Sequence, residues 1–204
     1  MKFNFSDYSF AAQVGTDLVN TSPEVRTVGD ALADPDAVAR FLTEHELRTG
    51  IITHGDAPST RDVDDLHVLR REIRSILEME TEDAVAHAAN ALVERAGTGP
   101  FLDRDDSGRW QWYVATPANT SLGDELAVLV GTGLLGVLHT LSHDRFRHCT
   151  ASDCRGVFVD TSKAGRRRYC MPGVCGNRRN VASYRARQLA ADKARTQRKG
   201  RTDA

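Results

Sequence analysis

CTASDCRGVFVDTSKAGRRRYCMPGVCGNRR, residues 149–179, holds all four cysteines of a 204-residue chain. Cys149, Cys154, Cys170 and Cys175 form two pairs in the spacing C-x4-C-x15-C-x4-C. Two short loops, each offering two thiolates, meet the preference of Zn2+ for four tetrahedral ligands, although x4 lies at the wide end of the usual spacing. Each spacer has turn chemistry. Met171-Pro172-Gly173-Val174 carries proline and glycine where a type II turn wants them, and Thr150-Ala151-Ser152-Asp153 is rich in turn formers. Between the pairs, Val157-Phe158-Val159 reads as a strand and Arg167-Arg168-Tyr169 as its partner, with residues 161–165 connecting them. After Gly176, no proline or glycine occurs until Gly200, so the pattern predicts a basic helix. Knuckle, hairpin, knuckle and helix describe a treble-clef-like zinc module, too small to fold on its apolar surface alone and dependent on the metal for stability. A closed set of four thiolates leaves no coordination position for water, so the site reads as structural.

Bulk composition excludes several classes. Apolar residues make up 40% and charged residues 27% of the chain, values ordinary for a globular protein. No unbroken apolar run approaches the roughly 20 residues of a membrane span, and the start MKFNFSDYSF lacks a signal-peptide pattern. The expectation is a cytoplasmic protein without membrane association, where paired thiols bind metal more readily than they form disulfides. The net charge of −1 conceals an asymmetry: residues 145–204 carry sixteen Lys and Arg against four Asp, and residues 1–144 carry eleven against twenty-four acids. A basic half of this kind fits a polyanion, or an acidic protein surface.

Residues 1–144 predict a mainly α domain with one small β-hairpin. Ala11, Val14, Leu18 and Val19 recur at helical spacing up to a stop at Asn20-Thr21-Ser22-Pro23. Asp34-Pro35 is an N-cap followed by proline at the first helical position, with Val38, Phe41 and Leu42 facing inward. A longer helix follows Pro58-Ser59-Thr60, its stripe being Val63, Leu66, Leu69, Ile73, Ile76 and Leu77. Thr81 caps a further helix with Glu82 and Asp83 in its first turn. Residues 100–115 alternate around the turn-rich Asp103–Gly108 and predict the hairpin. The last helix carries Leu126, Leu129, Val130, Leu134, Val137 and Leu138, and ends near Leu141. The domain break falls at residues 142–148, giving a helical domain over 1–144 and the zinc module over 145–204.

Candidate phosphate contacts are Lys163, Arg166, Arg167 and Arg168 between the knuckles, and Arg178, Arg179, Arg185 and Arg187 after them, with Asn177 placed for a base edge. Some of these cations serve instead to neutralise the formal charge of −2 on a tetrathiolate zinc centre. In the acidic half, Asp17, Asn20, Thr21, Trp110 and Trp112 are the candidates for a small-molecule pocket. Their bland alternative is helix capping for Asn20 and Thr21, an ion pair for Asp17, and core packing for the two tryptophans. His139 and His143 lie four apart, but without a third ligand they make a weak metal pair. No nucleophile elbow, phosphate-binding glycine loop or pair of catalytic carboxylates is present, so an enzyme is not expected. Gly131-Thr132-Gly133 sits within an apolar helical run and is no dinucleotide site.

Cys175-Gly176-Asn177-Arg178, together with Phe158–Lys163, the paired cysteines and the basic run, resembles the CGNR zinc finger family. Asp17-Leu18-Val19-Asn20-Thr21 resembles the opening motif of the ABATE domain, which commonly precedes that finger. The resemblance implies a stress-related bacterial transcription regulator with a Zn2+-bound, DNA-binding finger and a sensor or interaction domain. Family members often place tryptophan before the third cysteine, where this chain has Tyr169. Three readings remain open at this point. They are a DNA-binding regulator (with RNA as an alternative polyanion), a module whose basic helix docks on an acidic protein, and a small-molecule-binding domain whose finger is only structural.

Overall fold

The computed structural model describes residues 1–26 and 28–176. The predicted basic helix, with Asn177, Arg178, Arg179, Arg185 and Arg187, lies outside the described residues. The helices are α1 (Tyr8–Val19), α2 (Pro35–Glu44), α3 (Gly50–His54), α4 (Thr60–Leu77), α5 (Glu82–Glu94) and α6 (Leu122–Thr140). Strands β1 (Lys2–Asn4), β2 (Phe101–Arg104) and β3 (Trp110–Ala115) form an antiparallel sheet in the order β1-β3-β2. Strands β4 (Phe146–His148) and β5 (Val157–Val159) form a separate antiparallel pair. The mainly α architecture with small sheets and a C-terminal four-cysteine module is as the sequence predicts.

The helix starts carry the caps that the sequence advertises. Asp34, Thr81 and Ser121 each accept a hydrogen bond from the backbone N–H three residues on. Ser59 and Asp62 complete a reciprocal capping box at α4. Every apolar position predicted on α2 and α4 is buried.

Helix α6 is the axis of the fold, packed against α1, α4 and α5. By length and hydropathy it could cross a membrane, yet 78% of it is buried inside the molecule, so its apolarity is that of a core helix. Its glycines explain how three helices crowd it. A methyl group on Gly133 would lie 2.5 Å from the Ala12 nitrogen and 2.7 Å from the Ala11 Cβ, and one on Gly131 would lie 2.8 Å from the Ala89 carbonyl oxygen. These glycines set the approach of α1 and α5.

The sequence misses β1 and α3, and it misplaces the partner of β5. Residues 167–169 form no strand. Phe158 instead pairs with Arg147 of β4, and the opposite edge of β5 is occupied by side chains of α1, as described below. The Arg167 N–H, which a ladder would have used, donates to the Asp160 carboxylate at 2.8 Å.

The long connection between α1 and α2 is tied down by a buried ion pair. Arg70 on α4 grips Asp30 with both terminal nitrogens, at 2.8 and 2.7 Å, and also donates to the Thr21 hydroxyl at 3.1 Å. Asp30 further accepts from the Leu32 N–H, and His67 donates from Nε2 to the Leu32 carbonyl. The Arg70 hydrogen bond holds the Asp30 carboxyl below its usual pKa, against the opposing effect of its partial burial.

Two outcomes are expected. Gly133→Ala forces α1 and α6 apart and should cost about 2 kcal/mol of stability, read as a fall in the urea midpoint. Asp30→Asn strands the Arg70 charge and should cost about 3 kcal/mol at neutral pH. Because folding lowers the Asp30 pKa, its contribution is present above the unfolded value of about 3.9 and is lost as pH falls through the folded value. The wild-type advantage over Asp30→Asn should therefore shrink on acidification; an advantage unchanged from pH 7 to pH 3 would contradict the assignment.

Candidate metal centre

The four cysteines converge from two knuckles. Cys149 follows β4, Cys154 closes the turn before β5, Cys170 precedes the single wide turn Pro172–Gly176, and Cys175 lies within it. All four are free thiols. The sulfurs of Cys154, Cys170 and Cys175 form a near-equilateral triangle with edges of 3.5, 3.7 and 3.7 Å. With Cys149 included, all four sulfurs lie within 4.8 Å of one another. A disulfide needs an S–S distance of about 2.05 Å, whereas a tetrahedron of Zn–S bonds about 2.3 Å long spaces its sulfurs about 3.8 Å apart. The observed triangle matches the second geometry.

Electrostatics point the same way. Burial, the Cys154 thiol and the neighbouring sulfur charges push the Cys170 thiol far above the usual thiol pKa, and burial pushes Cys175 up to about 11. For Cys149, burial is outweighed by the N–H groups of Ala151 and Cys170 and by the thiols of Cys154 and Cys170, which draw its pKa down. Four adjacent sulfurs cannot all ionise against one another without a cation; a dication supplies the missing charge and displaces the protons. A four-sulfur donor set of this shape suits zinc.

Gly156 and Val25 close the shell. A methyl group on Gly156 would lie 2.3 Å from the Cys170 Sγ and 2.8 Å from the Asn20 Oδ1, so a side chain has no room there. Val25, from the connection after α1, packs with Phe158, Cys170 and Cys175 in a small apolar cluster. His148 is exposed on β4, where it pairs with Val157, and stands apart from the cysteine set. His143 donates from Nε2 to the Met79 carbonyl and stacks on Phe146, beyond the end of α6; it makes no ligand pair with His139.

The acidic half meets this module through one face of α1. The Thr16 hydroxyl accepts from the Val159 N–H at 3.0 Å, and the Asn20 amide donates to the Val157 carbonyl at 2.7 Å. Two side chains one helical turn apart thus serve β5 as a neighbouring strand would. Gln13, a turn earlier, accepts from Arg167 at 2.7 Å and donates to Asp17 at 2.8 Å. On α4, Arg74 donates to the Arg155 carbonyl in the first knuckle at 2.7 Å. Val157 and Val159 belong to the main apolar core.

Of the proposed pocket residues, Asn20 and Thr21 are buried, and their hydrogen bonds go to Thr16, Val157 and Leu18. Asp17 lies 3.9 Å from His45. Trp110 and Trp112 are more than half exposed on β3, Trp110 beneath the Arg104 guanidinium, so neither is a core residue. Cavities of about 310, 420 and 400 Å3 do mark the body, but their walls, which include Arg61 and Asp124, Phe10 and Asp105, and His54 and Glu125 respectively, contain none of the five.

The candidate phosphate contacts divide. Lys163, Arg166 and Arg168 are exposed. Arg167 turns inward and is a correction to its grouping with them: besides Gln13 it donates to the carbonyls of Tyr169 and Cys170, and it lies 4.8 Å over the Phe158 ring. The loop displaying the other three is shaped by the buried Asp160 carboxylate, which accepts from Ser162, Arg147 and the Arg167 N–H. Arg145 donates to the Asp160 and Ser162 carbonyls, and Arg147 to Gly165. Gln13, Thr16, Arg145, Arg147 and Asp160 escaped sequence reasoning. Polar residues one turn apart on an otherwise apolar helix, and an Asp followed by Ser two positions on, were the available signals.

Fold and site together define a helical body that carries a four-cysteine, zinc-finger-type module. The chain belongs to the ABATE family, whose model, described as "Putative stress-induced transcription regulator", matches residues 12–141. A CGNR zinc finger model matches residues 145–188. A comparison with curated proteins returns no match.

The protein should bind one Zn2+ per chain and release protons as it does so, with affinity falling as pH drops. Gly156→Ala should weaken competition against a zinc chelator at least tenfold, because the added methyl displaces Cys170. Unchanged competition would place the metal elsewhere.

Proposed function

We propose that this protein is a cytoplasmic bacterial transcription regulator without catalytic activity, in which Zn2+ held by Cys149, Cys154, Cys170 and Cys175 rigidifies a DNA-binding finger. The observation that carries this reading is the exposed triad Lys163, Arg166 and Arg168, displayed beside the metal centre on a loop fixed by Asp160. Guanidinium and ammonium groups so presented offer charge-assisted hydrogen bonds to phosphate. Arg178, Arg179, Arg185 and Arg187 extend the positive charge in sequence, and the family description supports a regulatory role. The helical body serves as the sensor or interaction domain.

A second reading is favoured by the charge split, in which residues 1–144 carry twenty-four acids against eleven bases. An acidic surface of that kind is a partner for a basic helix, in this chain or another, and the finger would then be a protein-interaction module.

Binding of the zinc-loaded protein to random duplex DNA, measured across salt concentrations, separates the two. The expected result is salt-sensitive retention, with the double variant Arg166→Ala, Arg168→Ala losing about two units of the log–log salt slope at unaltered zinc content. Sequencing the retained pool then tells base reading from backbone binding. Unchanged affinity and slope in the double variant would remove Arg166 and Arg168 from the interface, and no retention by the wild type would turn the assignment to the protein-interaction reading.

A further inference from the structure

Arg167 stands apart from its neighbours in sequence. Arg166 and Arg168 face solvent, whereas the Arg167 side chain spans from the second knuckle to the helical body. Its Nε donates to the Tyr169 carbonyl at 2.9 Å, one terminal nitrogen to the carbonyl of the ligand Cys170, and the other to Gln13 Oε1 on α1 at 2.7 Å. The guanidinium lies over the Phe158 ring, and Phe158 packs directly with Cys170 and Cys175. The charges facing it are Asp17, Asp160 and the sulfurs of Cys170 and Cys149.

We infer that Arg167 is a positioning residue and counter-charge for the metal centre, coupling the Cys170 ligand loop to helix α1 through Gln13, and not a phosphate contact. The inference rests on a metal occupying the four thiols and is independent of whether the finger binds DNA. The fork geometry is essential to it. Three acceptors in different directions match the planar donors of guanidinium, and an ammonium group at the same place cannot reach all three. The charge matters as well, because a tetrathiolate bound to a dication keeps a formal charge of −2 beside the apolar side chains of Phe158 and Val25. Groups that orient ligands in this way typically govern ten- to hundredfold in metal affinity.

The test is Co2+ titration, followed by Zn2+ displacement against a chelator, on the full chain. The visible and thiolate-to-cobalt absorption bands report coordination directly, apart from any function. Arg167→Met should weaken metal affinity on the order of ten- to hundredfold and alter the Co2+ spectrum. Arg167→Lys, which restores charge but not the fork, should recover part of that affinity. Gln13→Met should weaken affinity in the same direction, Gln13→Glu should retain it, and Gln13→Met should have no further effect in the Arg167→Met background. Arg166→Ala and Arg168→Ala should bind metal as the wild type does. Wild-type affinity and spectrum in Arg167→Met, with DNA binding reduced, would overturn the inference and return Arg167 to the phosphate-contacting set. A wild-type chain that takes up no Co2+ would overturn the metal centre itself, and this inference with it.

Discussion

Strand β5 is three residues long and, among the described residues, has a strand neighbour, β4, on one side alone. Its other edge is satisfied by α1, where Thr16 accepts from Val159 and Asn20 donates to Val157. That pair of side-chain bonds is the constraint from which the rest follows. It fixes β5 against the body, sends Val157 and Val159 into the main core, and so sets the position of both knuckles that flank β5 in sequence. The motif at the end of α1 is thereby accounted for structurally: Asn20 seats the finger, Thr21 anchors Arg70 and the connection after α1, and Val25 from that connection covers the cysteines.

The same economy governs the charges. Each ion withdrawn from solvent here is met by several partners. Asp160 is fully buried and accepts from two backbone N–H groups, a hydroxyl and Arg147; Arg70 is nearly buried and matched by Asp30. Such groups contribute less through net attraction than through the penalty for rearranging them, since an alternative packing would leave a charge unpaired. They therefore specify one arrangement of the loop between the knuckles, and that arrangement turns Arg167 inward and Arg166 and Arg168 outward.

Much of this was legible in the sequence because the signals were local. Ser59 with Asp62, Asp34 with Pro35, and Thr81 ahead of two acids each declare a helix start within four residues, and the predicted stripes on α2 and α4 are buried as read. The cysteine spacing declared a metal site for the same reason. What escaped depends on contacts distant in the chain. The partner of β5 could not be read from Arg167-Arg168-Tyr169, whose composition allows a strand, because α1 competes for that edge from 137 residues away, counted from Asn20 to Val157. Strand β1 is too short to show alternation. The tryptophans of β3 alternate as core residues do, yet they stand exposed at a hairpin that only tertiary packing could have placed.

The account makes the metal centre and the helical body one cooperative unit, joined at α1. Hydrogen exchange of the zinc-loaded and zinc-stripped full-length chain, resolved to peptides covering residues 13–21 and 157–170, tests this most directly. The account predicts that stripping zinc lowers protection in both segments together, and that Asn20→Ala reproduces the loss in part with zinc bound. If residues 13–21 kept full protection while the finger lost its own, the seat on α1 would be a passive contact and the claim of coupling would fail.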